Sequence, residues 1–134
     1  MMMNSKELGF VTLRVSLALV FLYFAFMQLS DPGSWSSFVP ERFKVSGISA
    51  NNIVLLNGFV ELVLGMFLII GLYTRFASLI LGIHLIGIAF SIGFNPLGVR
   101  DFGLALATIS VFLFGPDRYT LDYRLAKKTP LKQP

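Results

Sequence analysis

Residues 53–72 read IVLLNGFVELVLGMFLIIGL, an apolar run interrupted by a single charged residue, Glu61. At 1.5 Å per residue, a helix of about 20 residues reaches about 30 Å, the thickness of a bilayer's hydrocarbon core. Three other apolar runs flank it: Leu8 to Leu29, Phe76 to Phe94, and a shorter one from Gly98 to Gly115. None shows the strict alternation of barrel strands, and backbone groups in lipid must bond within their own segment, so each run reads as a helix. The expected architecture is all-α: a four-helix transmembrane bundle over residues 1–115, with a basic interfacial segment over residues 116–134.

The whole composition agrees. Of 134 residues, 55% are hydrophobic and 13% charged, and the mean hydropathy is +0.76. A soluble domain carries about 25% charged residues, so lipid must solvate much of this chain. The absence of cysteine excludes disulfides, thiolate zinc sites and cysteine-held iron–sulfur clusters. The single histidine, His84, cannot supply both axial ligands of a bis-histidine haem. No metal site is therefore expected, nor a cofactor bound covalently or through metal ligands.

Lys6 and Arg14 ahead of an apolar run resemble the start of a cleaved leader, but Met27-Gln28-Leu29-Ser30-Asp31-Pro32 offers no small-x-small cleavage site, so the first run is expected to remain as a span. From Ser30 to Asn52, Trp35, Phe38 and Phe43 stand beside Glu41, Arg42 and Lys44. Aromatic bodies with polar tips suit the membrane interface, and this segment is expected to lie along the surface. Ser46, Ser49, Asn51 and Asn52 offer caps for the next helix. The connections Gly71–Arg75 and Asn95–Val99 are short enough to join antiparallel neighbours. Beyond Gly115-Pro116, residues 117–128 suit a short surface helix with Tyr119, Tyr123 and Leu125 toward lipid.

An even number of spans puts both termini on one side, with Lys6, Arg14, Arg75, Arg118, Arg124, Lys127, Lys128 and Lys132. Arg42, Lys44 and Arg100 fall on the other side, and the positive-inside rule makes the terminal side cytoplasmic, in a multi-pass protein of the cell membrane. The net charge of +4 and the pI of about 9.7 are explained by a basic tail beside anionic lipid, with no nucleic acid as partner.

Polar residues within the spans fall into stripes. Arg14, Ala18, Phe21, Ala25 and Gln28 recur at steps of four and three, and Asn57, Glu61 and Gly65 are spaced by four. His84, Gly87 and Ser91 share one face of the third span; Ser78, Gly82, Ala89 and Gly93 share another. On the fourth, Gly103, Ala107 and Ser110 make one small face, and Asp101, Ala105 and Thr108 a second. Gly65, Ser78, Gly82, Gly103 and Ala107 are the candidate positions of close helix packing. Glu61 sits near mid-span, too deep to snorkel, so it must be protonated, paired or facing a wet cavity. Counting inward from the cytoplasmic ends puts Arg14 about 9 Å deep, His84 about 12 Å and Glu61 about 16 Å. The expected buried polar centre is Arg14 paired with Glu61, joined by His84 and Asn57. Arg100 and Asp101, at the outer mouth of the fourth span, are placed to pair locally.

The Arg14 helix ending near Gln28, the run Asn57-Gly58-Phe59-Val60-Glu61-Leu62-Val63-Leu64-Gly65, the turn Gly71-Leu72-Tyr73-Thr74-Arg75, and Arg100-Asp101 followed by Gly115-Pro116-Asp117-Arg118-Tyr119-Thr120-Leu121-Asp122 resemble the DoxX-like membrane proteins. The resemblance implies a small four-helix integral membrane protein associated with quinone-linked redox enzymes, such as thiosulfate:quinone oxidoreductase. It implies family-like roles for Arg14, Glu61, Gly65, Arg75, Asp101 and Asp122.

A quinone needs an apolar slot and a few donors for its carbonyls. Arg14, His84 and Tyr23 are candidate donors with Glu61 as proton acceptor, and Tyr23, Gln28, Arg75, Arg100 and Asp101 are the candidate ligand contacts. Electrons would come from a partner or a diffusing substrate. Two alternatives stay open: a non-catalytic scaffold that steadies other membrane subunits or a homo-oligomer, and a small-molecule or proton-coupled transporter. The lipid bilayer is a partner in every case.

Overall fold

A computed structural model describes residues 2–44 and 47–129. The cap expected at Ser46 and the tail carrying Lys132 lie outside the described residues. Among the described residues, five α-helices follow in chain order: α1 (Ser5–Ser30), α2 (Ala50–Ile70), α3 (Thr74–Ile92), α4 (Pro96–Phe114) and α5 (Leu121–Lys128). Two short 3-10 helices, Pro32–Phe38 and Glu41–Phe43, lie between α1 and α2. The first four helices are long and apolar enough to cross a membrane.

Each helix starts where a side chain satisfies its free N–H groups. Asn4 accepts from the Glu7 amide, Ser49 from Asn52, and Asn95 from Leu97 and Gly98. Pro96 at the first turn of α4 lacks the N–H that would otherwise need a partner, so α4 reaches 19 residues although its apolar run is the shortest. Gly71 closes α2 at φ +72°, a left-handed conformation that costs other residues about 1–2 kcal/mol.

Consecutive helices run antiparallel in a four-helix ring built of two tightly packed pairs. α1 packs mainly on α2 and α3 mainly on α4, with sparser α2–α3 and α1–α4 contacts. Leu17, Ala18 and Phe21 of α1 meet Leu64 and Leu68 of α2, Ala77, Leu81 and Leu85 of α3, and Ala105 and Val111 of α4. Phe26, Phe59, Phe76, Phe90 and Leu113 face outward, an apolar exterior that suits acyl chains and would aggregate in water.

Small residues set the close approaches. Gly65 faces Phe21 and Leu22 of α1, and Ser78 is fully buried with its hydroxyl donating to the Thr74 carbonyl. A Cβ on Gly82 would stand 2.6 Å from Ile109 of α4. Gly82→Val is therefore expected to wedge α3 from α4 and cost about 1–3 kcal/mol, readable as earlier thermal unfolding in detergent. Ala107 packs at the edge of the core, but Gly103 does not pack: it is exposed, with nothing within 4 Å of a Cβ built on it. It lies two residues from both Asp101 and Ala105, about 200° around α4 from that inward stripe.

The short helix expected after α4 forms as α5, and the turn before it is tied to the α2–α3 connection. Asp122 accepts hydrogen bonds from the Tyr73 amide (2.8 Å) and the Thr74 amide (2.7 Å), capping α3 from outside the helix. Its own amide donates to the Gly71 carbonyl, and the Thr120 side chain rests against Gly71 so closely that no Cβ fits there. These bonds hold Tyr73 in its left-handed conformation, φ +48°. At the opposite end, Asp31 accepts from both the hydroxyl and the amide of Ser34. Those bonds hold its carboxyl below its ordinary pKa, so this cap persists above the usual carboxylate range and is lost only as pH falls through the depressed value.

Candidate functional site

The polar residues of the spans form two separate centres. Along α1, Arg14 and Gln28 are 14 residues apart, about 21 Å, and each meets a different end of the bundle.

The first centre is at mid-depth. Glu61, the twelfth residue of α2, is 4% exposed and takes a hydrogen bond on each carboxylate oxygen. Gln28 Nε2 donates to Oε2 at 3.0 Å and Asn57 Nδ2 donates to Oε1 at 3.2 Å. Asn57 Nδ2 also donates to Gln28 Oε1 at 2.7 Å, so both its hydrogens are engaged within the cluster. Only Asn57 Oδ1 then remains for His84, whose Nε2 lies 2.5 Å away and must carry the hydrogen. The same nitrogen is 4.0 Å from Glu61 Oε1. The helical step of four between Asn57 and Glu61 aligns them, and Gly58 lets α1 approach closely enough for Gln28 to reach across.

The centre opens into a cavity of about 650 Å³ between the two helix pairs, on the side away from the termini. Its walls are apolar and aromatic. Trp35 packs edge-on against Phe24 (ring centres 5.7 Å apart) and beside Phe38, so the 3-10 segment covers the cavity as a roof. Arg100 and Asp101 reach it from α4: Arg100 Nε donates to Asp101 Oδ1 at 2.8 Å, and the guanidinium lies 5.5 Å from the Phe24 ring centre. The local pairing expected of these two residues is present, and Asp101 is buried at 6% exposure. Arg42 from the roof donates to Ser91 Oγ of α3 at 3.3 Å.

The second centre is at the terminal end, and it holds Arg14. Arg14 does not pair with Glu61. Its Nε donates to Asp117 Oδ2 at 2.6 Å, and its Nη1 donates to the carbonyls of Leu68 (2.8 Å) and Ile69 (2.9 Å). The depth count errs because α1 begins at Ser5 and overhangs the other helices, its first turns meeting Arg118 through Glu7 and Phe114 through Phe10. Arg14 is thus level with the last turn of α2, seven residues or about 10 Å from Glu61.

Two further candidate contacts fall outside the cavity. Tyr23 is exposed, because it lies two residues from both Phe21 and Ala25 and so on the opposite face of α1. Arg75 is at the terminal end, donating to the Phe112 carbonyl and packing on Gly115. Sequence reasoning missed Phe24 and Trp35 as cavity walls and Asp117 as the partner of Arg14. A signal for Asp117 was present: a buried arginine needs an anion at its own depth, and Asp117 is the first acid after the fourth span.

A membrane-embedded cavity with apolar walls and a hydrogen-bonded carboxylate at its base can hold a lipid-soluble molecule and exchange a proton with it. No curated protein and no solved structure matches the chain. The model of the DoxX family matches residues 9–93, nearly all of the first three spans with the roof between the first two. The chain is an integral multi-pass membrane protein and belongs to the DoxX family.

Proposed function

We propose that this protein is a subunit of a quinone-linked redox system in the cell membrane, with cytoplasmic termini, and that its cavity receives the quinone headgroup. The observation that carries this reading is the concentration of polar groups in an otherwise apolar pocket: the Glu61–Gln28–Asn57–His84 cluster at its base and Arg100–Asp101 on one wall. A quinone ring is flat and apolar, with a carbonyl at each end, and the aromatic surfaces of Phe24 and Trp35 suit its faces. Arg100 can donate to one carbonyl while the His84 and Glu61 end lies toward the other.

Reduction of a quinone to a quinol takes up two electrons and two protons. Glu61 and His84 are placed to handle the protons, and a partner protein or a small reductant supplies the electrons. The basic residues on the terminal side agree with a cytoplasmic placement.

Trp35, the chain's single tryptophan, lines the cavity and serves as the reporter. Titrating the detergent-purified chain with a decyl-tailed benzoquinone is expected to quench its fluorescence saturably, and Arg100→Gln is expected to weaken binding by about tenfold, one lost charged hydrogen bond. A linear response, identical in both proteins, would reflect partitioning into the detergent and remove the reading.

A further inference from the structure

On one side the cavity is bounded by the facing edges of α2 and α3. α3 packs mainly on α4 and only sparsely on α2, and polar bonds tie it across the gap at two levels, to α2 below and to the 3-10 roof above. Below, His84 bonds Asn57; above, Arg42 bonds Ser91. His84 and Ser91 are seven residues apart on α3, about 10 Å along the axis. Gly87 lies between them, lines the cavity and is exposed, with nothing within 4 Å of the position its Cβ would take. Ile83, one turn below Gly87, lines the cavity while 58% exposed, and the His84 side chain is 29% exposed.

An opening framed in this way faces acyl chains. Gly87 is about 20 Å from the start of α3 and about 8 Å from its end, within the hydrocarbon depth of a 19-residue span. The frame around it is apolar except for the two bridging bonds. Any side chain longer than hydrogen at position 87 would project into this gap, and glycine there weakens the helix relative to alanine with no packing contact to compensate.

We infer that the gap at Gly87 is a lateral window through which the alkyl or isoprenoid tail of a cavity-bound lipid passes into the bilayer. The inference builds on the cavity being a ligand site, and it fixes the ligand class: a polar head small enough for the cavity joined to a single extended tail. Such a ligand enters from the membrane, with no passage through water, while the aromatic roof keeps the outer aqueous phase away from the base.

The test uses the full chain in vesicles of phosphatidylcholine brominated along its acyl chains, which quench a tryptophan they can approach. Wild-type Trp35 is expected to be quenched through the window, and Gly87→Leu to reduce that quenching at least about twofold. Added bulk at position 87 meets open space, so the variant folds, and circular dichroism verifies it. Equal quenching in the two proteins overturns the window. Detergent titrations then separate the window from the quinone reading. With the window present, Gly87→Leu weakens the decyl-tailed benzoquinone by about tenfold and leaves the same ring without its tail within about threefold. Equal weakening of both probes also overturns the window. A bromolipid difference together with no ring binding keeps the window and removes the quinone.

Discussion

Asp117→Ala lowers the stability of the detergent-solubilised protein by about 3–5 kcal/mol, the usual effect of leaving one member of a buried ion pair without its partner. The Arg14 side chain is 4% exposed and that of Asp117 7%, so neither charge can recover its hydration by a small movement. Arg14 is fixed by more than the carboxylate, because its Nη1 also satisfies the Leu68 and Ile69 carbonyls, which belong to the last turn of α2 and have no partner of their own in that helix. The single variant keeps the guanidinium in place but removes its counter-charge. Combining Arg14→Met with Asp117→Leu removes both charges and is expected to recover most of the loss, the remainder reflecting the two released carbonyls. Thermal unfolding of the four proteins of the double-mutant cycle measures the coupling. Simple additivity of the two single effects would mean that the pair contributes nothing.

Asn57→Leu is expected to be the second most damaging change. It removes, at one stroke, the donor to Gln28 Oε1, the donor to Glu61 Oε1 and the acceptor for His84 Nε2. A buried group left without its hydrogen bond costs about 1–3 kcal/mol, and three are affected together. Because Asn57 joins α2 to α3, the change also loosens the lower bridge of the cavity. Nitrogen-resolved NMR of the imidazole gives a direct check. The wild type is expected to carry its hydrogen on His84 Nε2 with the shift of a strong hydrogen bond, and the variant to lose that signature. An unaltered imidazole spectrum would show that Asn57 does not set the tautomer.

The spans and their antiparallel order were legible in the sequence because lipid leaves a chain few solutions: apolar length predicts a helix, and short turns predict neighbours. Glu61, Asn57 and His84 were legible as a group because helical periodicity puts polar side chains on inward stripes. The partner of Arg14 was misjudged for a geometric reason. Depth along a span depends on where the helix starts relative to its neighbours, and the overhang of α1 is set by contacts with residues beyond the fourth span. Gly103 shows the same limit. A small residue at helical spacing signals close packing only if that face turns inward, and the rotation of α4 follows from its whole contact surface. The cavity depends on a segment that was legible as interfacial but not as a roof, since Trp35 meets Phe24 only once α1 and the 3-10 helices are in place.

The Arg14–Asp117 bond joins residues 103 positions apart, which bears on the order in which the bundle is completed during synthesis. The ribosome delivers the arginine with the first helix and its counter-ion only after the fourth. An arginine at the centre of a membrane helix costs about 2.5–3.5 kcal/mol even on the most lenient insertion scale; Arg14, nearer the end of its span, carries a smaller burden, which nascent α1 bears until Asp117 is added. A chain halted just short of residue 117 would present four hydrophobic helices with an unneutralised cation among them.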